Sequence, residues 1–427
     1  MSFKFFMVAD MNSLESKSIS KPEAKDISCH RSHKNYDFCT ISGPTVLDPA
    51  ISTFFVMDPK TLTPQKSRVE KVRLYPRKWE THTMSRIKEV TLISSPIIPN
   101  CEIQHKAPAI VFSAGGLTGN IFHDFNDGFI PLLITTNSIF PDQDVVLVIS
   151  KARDWWVSKY TEILRTFTKY PIINLDNDTK IYCFPSVNVG IISHDLVTIN
   201  PKLIPNSKTF THFHALIDKA YGQNQNQNQN HPFKFNPSKS RPILVLISRN
   251  GGVGRVLLNQ NEVKFEAEKI GFSVIIFEPT PMTSMHNAYE LIHSGHAMIG
   301  IHSAALTHTI FLRPSSVFMQ VVPVGTEWAA EVCYARLARN VGSEYMEYRI
   351  KAEESSLMEK YSKDDLVIRD PVAFRGTDWS LMNVYLKEQI VTLDLVRVRE
   401  YLKEMYKKAK TFMNIEQGGI VTIVIKY

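Results

Sequence analysis

Four short apolar runs in the second half of the chain constrain its fold more than any other feature: PILVLIS (242–248), FSVIIFEP (272–279), AMIGIH (297–302) and VFMQVVP (317–323). Each has the length of a strand and lacks polar alternation, the mark of a strand covered on both faces. Between them lie stretches of helical period, over about 260–270 and around 285–294, and a short helix is expected from Ser303. Strands alternating with helices form βαβ units on a parallel sheet, so this half predicts a complete doubly wound unit. The first half repeats the rhythm. PAIVFSAGG (108–116) is a strand ending in a glycine pair, DVVLVIS (144–150) is the next, and a helix near 154–168 and a strand at IYCFP follow.

At 427 residues and 48.7 kDa the chain exceeds one ordinary core, and two domains are expected. The repeat QNQNQNQN (223–230) has no face to bury and reads as a solvated linker. The expected organisation is an irregular lead-in over 1–50, an N-terminal domain over 51–235, a C-terminal domain over 236–392, and a terminal helix and tail over 393–427. That helix sets Leu395, Val398, Leu402 and Met405 opposite a Lys/Glu face, and it is expected to pack back on the N-terminal half. The fold class is α/β, two Rossmann-like domains facing a cleft.

A hydrophobic content of 44% with 21% charged residues is that of a globular protein, neither disordered nor membrane-embedded. The net charge of +7 is mild, and no Lys/Arg stripe interleaved with aromatics appears, so nucleic acid is not an expected partner. No stretch reaches the roughly 18–20 apolar residues of a membrane span. The opening MSFKFFMVADMNS is too short an apolar run for a signal peptide. None of the five cysteines forms a CxxC pair, so zinc is not indicated. Cys29 and Cys39 fit a small disulfide loop in an oxidising compartment, whereas Cys183 and Cys333 read as free core cysteines. One sequon, Asn177-Asp178-Thr179, lies in a loop-like stretch.

Three strand ends carry chemistry. In ISRNGGVGRVLLNQNEV, Ser248 and Arg249 end a strand and Arg255 follows Gly251, Gly252 and Gly254. Glycines admit an anion close to the backbone and two guanidinium groups hold phosphate bidentately, although a tight turn with solvated arginines reads equally from these residues. No GxGxxG register or GK[ST] is present, which argues against a dinucleotide fold or a P-loop. In HAMIGIHSAALTHTIFLRP, His302 ends a strand and Ser303, Ala304, Ala305 and Leu306 open a helix, whose unpaired N–H groups favour anions. His302 is then either a phosphate or sugar donor or a satisfied core histidine. Glu262, early in the next helix, either accepts from a ribose diol or caps that helix. In GGLTGNIFHDFND, the spacing of Asn120, His123, Asp124 and Asp127 predicts one polar stripe opposite Ile121, Phe125 and Phe129. Such a stripe supplies a general base, or else is the solvated acidic face of a capped helix. The triplets Asp142-Gln143-Asp144 and Asp176-Asn177-Asp178 are common by chance and are discounted as metal–diphosphate sites.

Several ordered blocks resemble glycosyltransferase family 61 and its plant xylan-decorating members: RSHKNYDFCTISG, TMSRIKEVTL, PAIVFSAGGLTGNIFHDFNDGFIPLLIT, ISRNGGVGRVLLNQNEV, GIHSAALTHTIFLRPSSVFMQVVPVG and EESSLMEKYSKDDLVIRDPVAFRGTDWS. The resemblance covers about residues 29–412. It implies a Golgi enzyme of the two-Rossmann GT-B class that transfers a sugar from a UDP-sugar to a polysaccharide acceptor, with inversion and without a bound metal. On it, Ser248, Arg249 and Arg255 hold the diphosphate beside His302 and the turn Ser303, Ala305, Leu306 and Thr307. Glu262 then faces the nucleoside, and Asp127, with His123 and Asp124 as rivals, activates the acceptor hydroxyl. The family's membrane anchor is not found in this sequence. Where the family usually has glycine after the histidine, this chain has Ser303, whose Cβ and hydroxyl are expected to weaken or re-aim donor binding. A catalytically silent relative that binds nucleotide sugar or glycan is the alternative implied.

Overall fold

The computed structural model describes residues 27–57, 68–222, 240–249 and 254–418. The chain divides between Tyr221 and Gly222 into two compact units, both α/β. The Gln/Asn repeat, Gly251, Gly252 and the first part of the expected lead-in lie outside the described residues.

The first unit carries strands β1 (Ile27–His30), β2 (Phe38–Asp48), β3 (Thr53–Met57), β4 (Val69–Arg73), β5 (Glu89–Ser95), β6 (Ile103–Gln104), β7 (Ala109–Ser113), β8 (Val146–Ser150), β9 (Ile173–Asn174) and β10 (Tyr182–Val189). They form one sheet in the order β4-β5-β3-β2-β10-β7-β8-β9, with β1 on β2 and β6 on β10. β10, β7, β8 and β9 run parallel, as the apolar runs predict. The other half is mixed, because β2 pairs antiparallel with β1, β3 and β10. This corrects the expectation of an irregular lead-in over 1–50. Residues 27–48 contribute two strands whose Thr, Ser, Gly and Pro content hides any period, and long-range pairing with β10 holds them in the sheet.

Cys29 and Cys39 face each other across β1 and β2 and form a disulfide. Cys183, expected to be a free core cysteine, is instead bonded to Cys101, 82 residues away, because the β6–β10 pairing brings their segments together. Cys333 is free and only partly buried. Asn177 of the sequon is exposed on the turn after β9.

The second unit is the doubly wound half that its sequence predicts. β11 (Ile243–Ile247), β12 (Ser273–Phe277), β13 (Ala297–Ile301), β14 (Val317–Val322) and β15 (Glu344–Arg349) are all parallel, in the order β12-β11-β13-β14-β15. β11 and β13 are buried at every position, which explains their unbroken apolar runs. The strand order reverses between β11 and β13, the place where open α/β sheets bind ligands.

The terminal helix, Leu395–Glu416, starts at Asp394, whose carboxylate accepts from the Val396 and Arg397 N–H groups. The helix's apolar face, expected to pack back on the N-terminal half, is used within its own unit. Its buried face, with Val398, Leu402, Met405, Ala409, Phe412 and Met413, lies on the helix Gln260–Ile270 and on β14 and β15 of its own unit. The match is specific: Val263, Ala267 and Phe272 fill the opposing surface, and Arg399 pairs with Glu266 at 2.7 Å.

Candidate active site

Two sites stand at the carboxyl ends of parallel strands, one in each unit. In the first unit β7 runs into the loop Gly115–Asn120. Gly116 there has φ +64°, and a Cβ on it would lie 2.7 Å from the Tyr75 ring. Asn120 caps the next helix, its Oδ1 accepting from the Phe122 N–H at 3.0 Å. That helix passes through Ile121–His123, a π-wound turn Asp124–Phe129, and Ile130–Ile139. Widened turns of this kind recur at functional sites.

The π turn rearranges the predicted stripe. Asp124 and Asp127 are both buried, and they enter separate networks. Asp124 accepts from Trp156 Nε1–H at 3.0 Å and Tyr160 O–H at 2.9 Å, inside the aromatic cluster where Phe129 stacks on Trp156. Burial raises its carboxyl above the ordinary range, and those two donors only partly oppose it. The expectation that Asp124 lies opposite Phe125 and Phe129 therefore fails.

Asp127 Oδ2 accepts from Tyr75 O–H at 2.8 Å, Arg77 Nε–H at 2.9 Å and His123 Nδ1–H at 2.8 Å. Its Oδ1 accepts from Asn126 Nδ2–H at 2.6 Å. Burial pushes this carboxyl up, but the His123 bond and the Arg77 charge outweigh it and hold the group below the ordinary carboxylate range. With four donors already on it, Asp127 has little acceptor capacity left for a substrate. His123, 17% exposed, is the member that reaches the surface. Because Nδ1 donates to Asp127, Nε2 is the basic nitrogen, and the pair forms an imidazole oriented by a carboxylate.

The second site occupies the strand-order reversal. Ser248 and Arg249 follow β11, and Ser248 Oγ bonds Glu278 at 3.3 Å. Gly254 has φ +40°, and a side chain on it would run into the Lys387 carbonyl. The Arg255 N–H donates to the carbonyl of Gln389, a fully buried residue whose Nε2 in turn bonds the Val324 and Tyr385 carbonyls. Thus anchored, Arg255 sends one guanidinium nitrogen to the His302 carbonyl at 2.7 Å, while its buried Nε has no hydrogen-bond partner. Burial, reinforced by the Arg249 charge, lowers Arg255 to about 10, so it stays charged at neutral pH. Two half-buried cations held close together are stabilised by a bound anion.

His302 is buried at the tip of β13. Burial first, then Arg255 and Arg249, lower it to about 3, so its ring is neutral. Gln320 fixes the tautomer: its Oε1 accepts from Tyr345 O–H at 3.0 Å, which turns its Nε2–H toward His302 Nδ1 at 3.0 Å. Nε2 of His302 therefore carries the proton and is a donor. Tyr334 lies edge-on to the ring at 5.2 Å.

Ala304–Phe311 is a 3₁₀-helix. The Leu306 N–H already donates to the Ser303 carbonyl, so the first turn offers the N–H groups of Ala304 and Ala305. Leu306 packs beneath Gly300, and Thr307 is fully buried. Ser303 is buried in an extended conformation, φ −163°, which any residue adopts, so the backbone there does not require glycine. Glu262 is exposed in the first turn of the helix after Arg255, facing the positive helix end, and takes no part in the Arg255–His302–Gln320 network.

Asp144 pairs with Lys169, Asp176 takes the Lys151 N–H, and Asp178 accepts from Tyr182 at 2.7 Å. Among the described residues no cluster of three His, Cys, Asp or Glu is set to hold a metal. No helix among them is long and apolar enough to cross a membrane.

Gln320 had a signal in the sequence, as the lone polar residue inside VFMQVV. Tyr75 and Arg77 had none, lying some fifty residues before the carboxylate they hold.

For an α/β chain with a cationic cluster at its strand-order reversal and a separate oriented histidine, sequence comparison defines the class. The glycosyltransferase 61 family pattern matches residues 67–319, more than half of the chain, which belongs to that family. The chain is 34% identical over 412 residues to the xylan glycosyltransferase MUCI21 of Arabidopsis thaliana, covering 93% of this chain and 82% of the relative. It is 34% identical over 336 residues to the beta-1,2-xylosyltransferase XYXT1 of Oryza sativa subsp. japonica, covering 78% and 70%. It is 31% identical over 379 residues to the alpha-1,3-arabinosyltransferase XAT3 of the same rice, covering 88% of this chain and 64% of that one.

Proposed function

We propose that this chain is an inverting transferase, of the GT-B class, that moves a pentose, xylose or arabinose, from a UDP-sugar to a xylan-type cell-wall polysaccharide. The observation that carries the donor half is the half-buried Arg255, pushed down by desolvation and by Arg249, with a buried, unpartnered Nε beside the His302 strand tip. A diphosphate neutralises that pair. The acceptor class rests on the name of the similar xylan glycosyltransferase, and the pentose on those of the similar xylosyl- and arabinosyltransferases.

In this reading His123 Nε2 takes the proton of an acceptor hydroxyl, and Asp127 is a positioning residue that holds the ring. The oxygen attacks the anomeric carbon opposite UDP, the sugar–phosphate bond breaks, and its electron pair leaves on the β-phosphate. Arg249, Arg255, the Nε2–H of His302 and the N–H groups of Ala304 and Ala305 stabilise that charge, the work a metal does elsewhere. Ser248 and Thr307 border the phosphates, and Glu262 faces the nucleoside. Asp124, tied to Trp156 and Tyr160, shapes the turn that presents His123. The two disulfides support an oxidising compartment, the Golgi lumen.

The test incubates the purified chain with UDP-xylose or UDP-arabinose and xylo-oligosaccharides, with and without EDTA, reading released UDP and product mass. The expected result is acceptor-dependent UDP release that EDTA does not reduce, and a product one pentose heavier. UDP bound but no donor turned over would leave the catalytically silent relative standing instead.

A further inference from the structure

The first unit exposes two tryptophans, one against Arg77 and one against the loop that precedes His123. Trp79 is 55% exposed, and the Arg77 guanidinium lies over its ring at 5.2 Å. Arg77 is the residue that donates to Asp127, so the cation that fixes the carboxylate also fixes this indole. Trp155 is 43% exposed and follows β8; its ring edge comes within 3.8 Å of where a Gly119 Cβ would stand. Its neighbour in sequence, Trp156, is the donor to Asp124. Backbone bonds bring these segments together: the Ser113 N–H reaches the Leu74 carbonyl at 3.0 Å, and the Ala114 N–H reaches the Ser150 carbonyl at 2.8 Å. Both indoles therefore sit at the carboxyl ends of β7 and β8, the edge that carries His123.

Large indole faces left in water cost solvation free energy and mark binding surfaces. We infer that Trp79 and Trp155 form the subsite that seats the acceptor chain beside His123, each stacking under a neutral pyranose ring. A β-1,4-xylan suits them. It carries no charge to pair, and its equatorially substituted rings turn flat faces of axial C–H bonds toward an indole. Stacking of this kind supplies affinity without fixing which hydroxyl reacts, leaving that choice to His123. The inference rests on the transferase reading and names its acceptor subsite.

The experiment measures xylohexaose binding by calorimetry, with UDP binding to the same preparations as the control. Trp79→Ala and Trp155→Ala are each expected to weaken xylohexaose about tenfold or more, and to raise the KM for acceptor, while UDP affinity stays within error. Trp79→Phe and Trp155→Phe, which keep a ring, are expected to recover most of that loss. Xylohexaose bound by the native chain and equally by the double alanine variant would overturn the tryptophan subsite and leave the transferase reading in place. A native chain that binds no xylohexaose would overturn the xylan acceptor and this subsite together.

Discussion

Asp127→Asn is the most informative single change, because the structure says why an isosteric amide cannot serve there. If the asparagine oxygen takes the Oδ2 place, it can still accept from Tyr75, Arg77 and His123. Its amide nitrogen then points at Asn126 Nδ2, donor against donor, across the present 2.6 Å contact. Asn126 cannot flip to help, since its Oδ1 already accepts from the Val197 N–H at 2.7 Å. In the opposite orientation the amide nitrogen faces three donors at once. Either way a buried polar clash replaces a hydrogen bond, and Arg77, itself buried, is left with Glu80 at 2.7 Å as the one anionic partner of the two, Asp127 and Glu80. Removing one partner from a buried pair of this kind costs about 3–5 kcal/mol of stability.

The pH dependence gives the sharper check. The folded Asp127 carboxyl lies below its ordinary value, so its contribution is complete above the ordinary carboxylate range and is lost as pH falls through the lowered folded value. The stability gap between native chain and variant, from urea unfolding, is therefore large at neutral pH and shrinks toward acid. Turnover should fall about 10²–10⁴-fold, the scale of a lost general base, because the His123 ring loses its orientation and tautomer. UDP affinity should hold. A neutral-pH gap below about 1 kcal/mol, or one unchanged in acid, would refute the buried ionised pair. Undiminished turnover would refute its role in orienting His123.

Arg255→Ala should cost at least about tenfold in UDP affinity by calorimetry without unfolding the chain; unchanged affinity would remove Arg255 from the donor site. Ser303→Gly should leave UDP binding within about threefold and lower stability by about 0.5–1 kcal/mol, since the serine is extended and buried and glycine only adds unfolded-state entropy. Binding tightened tenfold would show that the serine obstructs the phosphates. Leu402→Ala should destabilise by about 2–5 kcal/mol in denaturant titration, because Leu402 is fully buried on the inner face of the terminal helix; an effect under about 1 kcal/mol would mean that this helix does not seal its own unit.

What the sequence disclosed and what it hid have physical causes visible in particular residues. β11, β13 and β14 were legible because a strand covered on both faces is apolar nearly throughout, with Gln320 the one polar residue among the three. β2 was hidden because its burial follows pairing with β10, some 140 residues on, and not its own alternation. The Cys101–Cys183 bond was hidden for the same reason.

The site shows the distinction most clearly. Residue type and position beside a strand end brought out His123, Asp124 and Asp127, yet a 3.6-residue period put them on one stripe. The π turn separates them, and partners far off in sequence divide the work. Tyr75 and Arg77 use up the acceptor capacity of Asp127, and Trp156 and Tyr160 use up that of Asp124. A carboxylate saturated with donors is a poor proton acceptor, however well placed, which is why the base proposed above is the imidazole that Asp127 holds. The same logic governs the other unit: His302 is a donor and not a base because Gln320, one polar residue inside an apolar strand, occupies its Nδ1. Local sequence thus nominates chemical groups, and their hydrogen-bond partners, fixed only by the folded chain, decide which direction each proton moves.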